Sequence, residues 1–252
     1  MSIALVIICL FVGLLIGAVG IGGVLLVPAL AFVADIGVHE AIPACMLSYL
    51  ATGAVGVFVY ARHGSIQWNM VFWVCVGAVP AALLGSISLL SIPANAIMFL
   101  IAILMVFAGI DALIKSFKSV PMARQSSTLG RGHYIVIGFV TGFGSAITGT
   151  GGPLIVVPII IYLGLPVLTA VGLSQAIQIP IAAFASIGNW MSGNLNVNLG
   201  LLIAAAMVTG TLAGATLMHR LPAEPIRKFM ALLLVVVGFG IGAHLIATLE
   251  PI

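Results

Sequence analysis

The sequence predicts an all-α, polytopic membrane protein built from two inverted-topology repeats, each a glycine-broken helical hairpin followed by three transmembrane helices. Of 252 residues, 63% are hydrophobic and only 5% charged, against about 25% charged in a soluble domain, so an aqueous surface cannot be covered. The apolar runs, such as Leu199 to Leu217 and Phe229 to Ile246, stay apolar on every face, whereas barrel strands alternate over about ten residues. The motif Gly20-Ile21-Gly22-Gly23 of the first half returns as Gly149-Thr150-Gly151-Gly152 in the second.

The chain opens with Met1-Ser2-Ile3-Ala4-Leu5, with no basic n-region and an apolar stretch longer than a signal peptide, so a retained span is expected. Residues 2 to 34 are too long for one span, and the first Gly motif splits them into a longer and a shorter arm. Segments near 41 to 61, 68 to 90 and 94 to 114 each suit one crossing, since about 30 Å of hydrocarbon needs roughly 20 residues. The stretch from Lys115 to Gly132 is the extended polar linker. Residues 134 to 164 repeat the split hairpin, and 167 to 190, 197 to 218 and 224 to 248 repeat the three spans. The expected organisation is therefore a first membrane repeat over 1–114, a cytoplasmic linker over 115–132 and a second membrane repeat over 133–252.

Duplication rests on one register. Gly142 follows Gly13 by 142 − 13 = 129 positions, and Gly22/Gly151, Gly64/Gly193, Asn69/Asn198, Gly85/Gly214, Pro93/Pro222 and Gly109/Gly238 keep that offset, with one slip where Pro28 matches Pro158. Asn, Pro and Gly holding one offset across most of each half marks an internal repeat. The basic residues set orientation: Arg62, then Lys115, Lys118, Arg124 and Arg131, then Arg220, Arg227 and Lys228, while Ser192 to Asn198 carries none. Placing all three clusters in the cytoplasm requires 134 to 164 to enter and return as a hairpin, which inverts the repeats and leaves both termini outside.

A helix interrupted in the membrane leaves N–H groups without partners, each costing several kcal/mol unless satisfied. The glycines let a ligand approach the backbone, and arms starting near Val24 and Pro153 aim their positive dipole ends at it. Pro153 suits a first helical turn because its missing N–H would lack a partner anyway. Inverted repeats bring two such breaks together near the midplane, the arrangement of a secondary transporter's substrate site. No Arg or Lys lies in mid-span, so an anion must be held by backbone amides and neutral donors, which also suits release.

The candidate substrate-binding residues are Gly20, Gly22 and Gly23 in the first motif, and Gly149, Thr150, Gly151 and Gly152 in the second. Ser145, Thr148, Ser174, Gln175, Gln178 and Ser48 complete the set, with Thr52 paired to Ser48 at i, i+4. Amides and hydroxyls in hydrocarbon face the bundle interior, although they also serve simply to tie neighbouring helices together. The hydroxyls cluster at the second motif, where the first offers Ala and Ile.

The pattern Gly-x-Gly-Gly-x-Leu-x-x-Pro, seen from Gly20 to Pro28 and with one residue more from Gly149 to Pro158, resembles the TauE/SafE sulfite exporter family. The Gly64 to Asn69 and Gly193 to Asn198 loops, and Gly85 and Gly214, are similar too. The resemblance covers nearly the whole chain outside the linker. It implies export of sulfur-containing anions such as sulfite, thiosulfate or organosulfonates across the cytoplasmic membrane, and it carries the glycine role onto Gly20, Gly22, Gly23, Gly149, Gly151 and Gly152. The polar contacts named above do not follow from it.

Other classes are weaker. Net charge is +3, but the cations sit in loops where topology explains them, so no nucleic-acid partner is expected. Cys9, Cys45 and Cys75 form no metal-ligand spacing, so neither metal nor cofactor is expected. Asp35, Glu40 and Asp111, with His39, His63, His133, His219 and His244, fall near span ends, as interfacial residues do, rather than as a proton relay. Gly172-Leu173-Ser174-Gln175 matches a short intramembrane Ser hydrolase pattern, which a duplicated bundle gives no reason for. A passive anion channel is the nearer rival. Expected partners are a small anionic substrate and membrane lipid, with a homodimer as the oligomer to consider.

Overall fold

The computed structural model describes residues 3–117, 130–218 and 223–249. Among the described residues ten α-helices follow one another: α1 (Ile3–Val19), α2 (Leu26–Val33), α3 (Val38–Arg62), α4 (Trp68–Ser88), α5 (Ala94–Phe117), α6 (Arg131–Thr148), α7 (Pro153–Tyr162), α8 (Val167–Met191), α9 (Val197–Met218) and α10 (Ala223–Leu249). A 3-10 turn, Gly22–Leu25, leads into α2, and another, Leu89–Ser91, extends α4. Residues 118–129 of the expected linker, with His219 and Arg220, lie outside the described residues; the linker's flanks belong to α5 and α6.

Among the described residues, six helices are long and apolar enough to cross a membrane: α3, α4, α5, α8, α9 and α10. Helices α1, α2 and α7 are shorter apolar pieces. Large apolar side chains such as Phe107, Val136, Trp190 and Val236 cover the outside, as they do where the surrounding solvent is lipid. The polar side chains Thr52, Ser145, Thr148, Ser174 and Gln175 are wholly buried within the bundle.

Helix pairs form across the two halves: α1 on α9, α4 on α6, α3 on α8 and α9, α4 on α8, and α5 on α10. Small residues make this possible, because without a hydrophobic drive helices must approach closely to gain contact. The Cβ position of Gly13 falls on the Met207 carbonyl, and that of Gly142 on the Ala78 carbonyl. Both members of the second pair are 129 positions from those of the first (142 − 13 and 207 − 78). The α5–α10 seam is reciprocal in the same way: Gly109 abuts Ala231 and Val235, while Gly238 abuts Ala102 and Val106.

Candidate functional site

Helix α6 ends where Gly149 turns left-handed at φ 68°, its N–H and that of Thr150 both reaching the Ser145 carbonyl at 2.8 and 3.4 Å. Gly151 and Gly152 continue at φ 74° and 107°, a path that side chains with a Cβ rarely follow. Pro153 then opens α7 at its first turn, and bonding resumes with Ile155 and Val156 N–H to the Gly152 carbonyl, each at 3.2 Å. The N–H groups of Gly151, Gly152 and Leu154 have no backbone acceptor among the described residues. They sit at the positive end of the α7 dipole.

Three hydroxyls gather at this break. Thr148 Oγ1 donates to the Gly144 carbonyl at 2.6 Å and lies 3.1 Å from Thr150 Oγ1, which donates to Ser145 Oγ at 3.4 Å. Every residue from 145 to 154 is buried.

The first break is built differently. Gly20 turns at φ 83° and its N–H bonds the Ile16 carbonyl at 2.9 Å, but Gly22 and Gly23 have ordinary backbone angles and enter a 3-10 turn directly. The shorter arm thus begins at Gly22 as 3-10 and becomes α-helical only at Leu26, rather than starting as a helix near Val24. Tyr49 of α3 covers this break, its hydroxyl donating to the Gly23 carbonyl at 2.7 Å.

The breaks meet. A Cβ at Gly23 would lie 3.0 Å from Tyr49 Oη and 3.1 Å from the Thr150 carbonyl; one at Gly151 would lie 2.9 Å from the Tyr49 ring, and one at Gly149 2.6 Å from Val27. Tyr49, fully buried, is therefore wedged between both motifs. Sequence reasoning passed over it as one aromatic in an apolar run. Its signal was the repeat register, because Tyr49 occupies the position 129 before Gln178.

Gln178 Nε2 donates to the Tyr49 carbonyl at 3.1 Å and to Thr52 Oγ1 at 3.0 Å, and Gln175 Nε2 to the Ile16 carbonyl at 2.8 Å. Gln178 thus ties α8 to α3, the helix whose Tyr49 covers the first break, and Gln175 ties it to α1, which leads into that break. Ser174 Oγ donates to its own helix at Val171 and stands 3.0 Å from the Cβ position of Gly20. Ser48 points elsewhere, to the Cys45 carbonyl at 2.7 Å and to Met207 Sδ of α9 at 3.6 Å.

Among the described residues, charged groups keep away from the breaks with one exception. Arg62 lies over Phe58, Arg131 over Trp73, and Lys228 pairs with Glu224 at 2.7 Å on α10. His39 Nε2 lies 2.9 Å from the Ile92 carbonyl and His63 Nδ1 2.8 Å from that of Val59, while His244 packs edge-on against Phe32. Asp111 is the exception: it is half-buried and lines a cavity of about 30 Å³ with Val19, Ile21 and Pro158, against the first break.

Comparison with known proteins identifies the family. The family model described as sulfite exporter TauE/SafE matches residues 5–241. The chain is 26% identical to the probable membrane transporter protein YjnA of Bacillus subtilis, covering 94% of this chain and 98% of that one. It is 24% identical to the probable membrane transporter protein YdhB of the same organism, over 86% and 91% of the two chains. With MJ0441 of Methanocaldococcus jannaschii, another probable membrane transporter protein, it shares 22% over 93% and 92%. No solved structure matches the chain. The match to the family model over nearly the full length, together with six apolar spans, makes this chain a member of the TauE/SafE sulfite exporter family and a multi-pass membrane transporter.

Proposed function

We propose that the protein is a secondary transporter that carries small sulfur-containing anions, such as sulfite, thiosulfate or organosulfonates like sulfoacetate, outward across the cytoplasmic membrane by alternating access. The observation that carries this reading is the second break: N–H groups of Gly151, Gly152 and Leu154 without backbone acceptors, beside the buried hydroxyls of Ser145, Thr148 and Thr150. Donors at a helix N-terminus, with no cation nearby, suit an oxyanion held firmly enough to select and loosely enough to release. The sulfur chemistry comes from the family the chain belongs to.

In this reading the basic clusters lie in the cytoplasm and both termini outside. The inside-negative potential then favours export of each negative charge by about 2.3 kcal/mol per 100 mV, so a uniporter suffices. Calorimetry on the purified protein with sulfite, thiosulfate, sulfoacetate, taurine and sulfate tests the substrate class. Binding of the sulfur oxyanions is expected, and binding only of cations or neutral solutes would overturn the reading. Trans-stimulated exchange in proteoliposomes is expected as well; a channel would not show it.

A further inference from the structure

Thr141, Ser186 and Asn189 are at least nine-tenths buried, at 0%, 7% and 0% exposure. Thr141 Oγ1, Ser186 Oγ and both amide atoms of Asn189 have no hydrogen-bond partner among the described residues. Burying polar groups in this way is costly unless something else satisfies them. All three sit in the second repeat, on α6 and α8, which pack on each other and, with α4, form one cluster. Counting back 129 positions gives Val12, Val57 and Tyr60. The first repeat therefore places apolar or aromatic groups where the second places orphaned polar ones.

Thr141 and Asn189 each adjoin a further feature. Thr141 stands one turn before Ser145, its Cγ2 3.5 Å from the Cβ position of Gly152, which puts it beside the second break. The Asn189 carbonyl accepts from Asn194 N–H at 3.1 Å, and Asn194 carries a further buried oxygen without a partner. Asn194 also lines an open cavity of about 360 Å³ with His39 and Glu40. Along α8, Asn189 shares a face with Gln178, and the intervening residues on that face are Ala182 and Ala185. In the first repeat the equivalent space is closed: the Tyr60 hydroxyl donates to the Gly17 carbonyl at 3.0 Å, in the last turn before the first break.

We propose that Thr141, Ser186 and Asn189 line a hydrated access path by which a small oxyanion passes between the cavity at Asn194 and the second break, with Tyr60 closing the corresponding path of the first repeat. This rests on the reading of the chain as an anion transporter. Neutral O–H and N–H donors spaced along the path replace the water a moving anion sheds, and the absence of cations keeps it from stalling. The Asn194 loop carries no basic residue, so the path opens on the side proposed as outer.

The test is labelling of the full chain in nanodiscs by 2-sulfonatoethyl methanethiosulfonate, itself a small organosulfonate, read peptide by peptide by mass spectrometry so that the native cysteines serve as controls. Thr141→Cys and Ser186→Cys are expected to react at least tenfold faster than Val12→Cys and Val57→Cys, their counterparts in the first repeat. Equal rates in properly folded variants would overturn the path. Asn189→Leu is expected to slow transport at least tenfold while Asn189→Gln retains it, and wild-type transport by Asn189→Leu would also overturn it. Failure of the wild-type protein to bind any sulfur oxyanion would instead sink the transport reading, because the labelling rates need no substrate.

Discussion

The two breaks share a motif and differ in what their backbone is left to do. The first has one left-handed glycine, runs straight into a 3-10 turn, and is covered by the Tyr49 hydroxyl on Gly23. The second has three left-handed glycines and gathers the hydroxyls of Ser145, Thr148 and Thr150 at its turn. Among the described residues both breaks leave N–H groups without backbone acceptors, at Ile21, Gly22 and Gly23 in the first as at Gly151, Gly152 and Leu154 in the second; what differs is the company they keep, a tyrosine in one and a cluster of hydroxyls in the other. The buried polar groups of α6 and α8 extend that contrast beyond the motifs.

Four substitutions press on the contrast, and the largest effect belongs to the glycines. Gly151→Val forces a branched residue to φ 74° and against the Tyr49 ring; strain and overpacking together cost about 3 kcal/mol, about 100-fold in population of the competent state. Gly22→Val meets Leu15 Cβ at 2.6 Å and the Ile16 nitrogen at 2.9 Å, so its loss arises from packing rather than from backbone angle. Loss of sulfite flux in proteoliposomes is expected for both. Unchanged flux in both would remove the breaks from the transport cycle.

A smaller effect is expected from Thr150→Val, which keeps shape and deletes the central hydroxyl of the cluster. A hydrogen bond to a charged group contributes about 1.5 kcal/mol or more, so the ratio of affinities for two sulfur oxyanions should shift by about tenfold. An unaltered ratio in competition binding would show that the hydroxyls only brace the backbone. Tyr49→Phe should have the smallest effect, about 1 kcal/mol of stability from the lost bond to Gly23, measured by unfolding in detergent. If it instead abolished anion binding, Tyr49 would be a ligand contact, and the first break would share the work assigned to the second.

Long apolar runs and glycine spacing made the helices and both breaks legible, because a span must be about 20 residues and a helix reversal needs backbone freedom. The expected segments 167 to 190 and 197 to 218 correspond to Val167–Met191 and Val197–Met218. Tertiary pairing was not legible. Ser48 and Ser174 look alike as single hydroxyls in apolar runs, yet one faces Met207 of α9 and the other stands beside Gly20. Tyr49, Thr141 and Asn189 follow no local period; their meaning comes from the partner each meets or lacks across the bundle. Asp111, expected as an interfacial residue, lines one cavity with Ile21 and Val167, where α5 packs on α7 and α10.

The reciprocal seam of Gly109 and Gly238 has the form of an isologous dimer interface, in which residue i meets j and j meets i, but here both partners lie in one chain. Two separate half-length subunits would have to present the same residue twice at every such contact. Covalent fusion lifts that requirement. Tyr49 and Gln178 stand 129 positions apart and touch through the Gln178 amide on the Tyr49 carbonyl, a meeting that a symmetric homodimer would be obliged to make from two tyrosines or two glutamines.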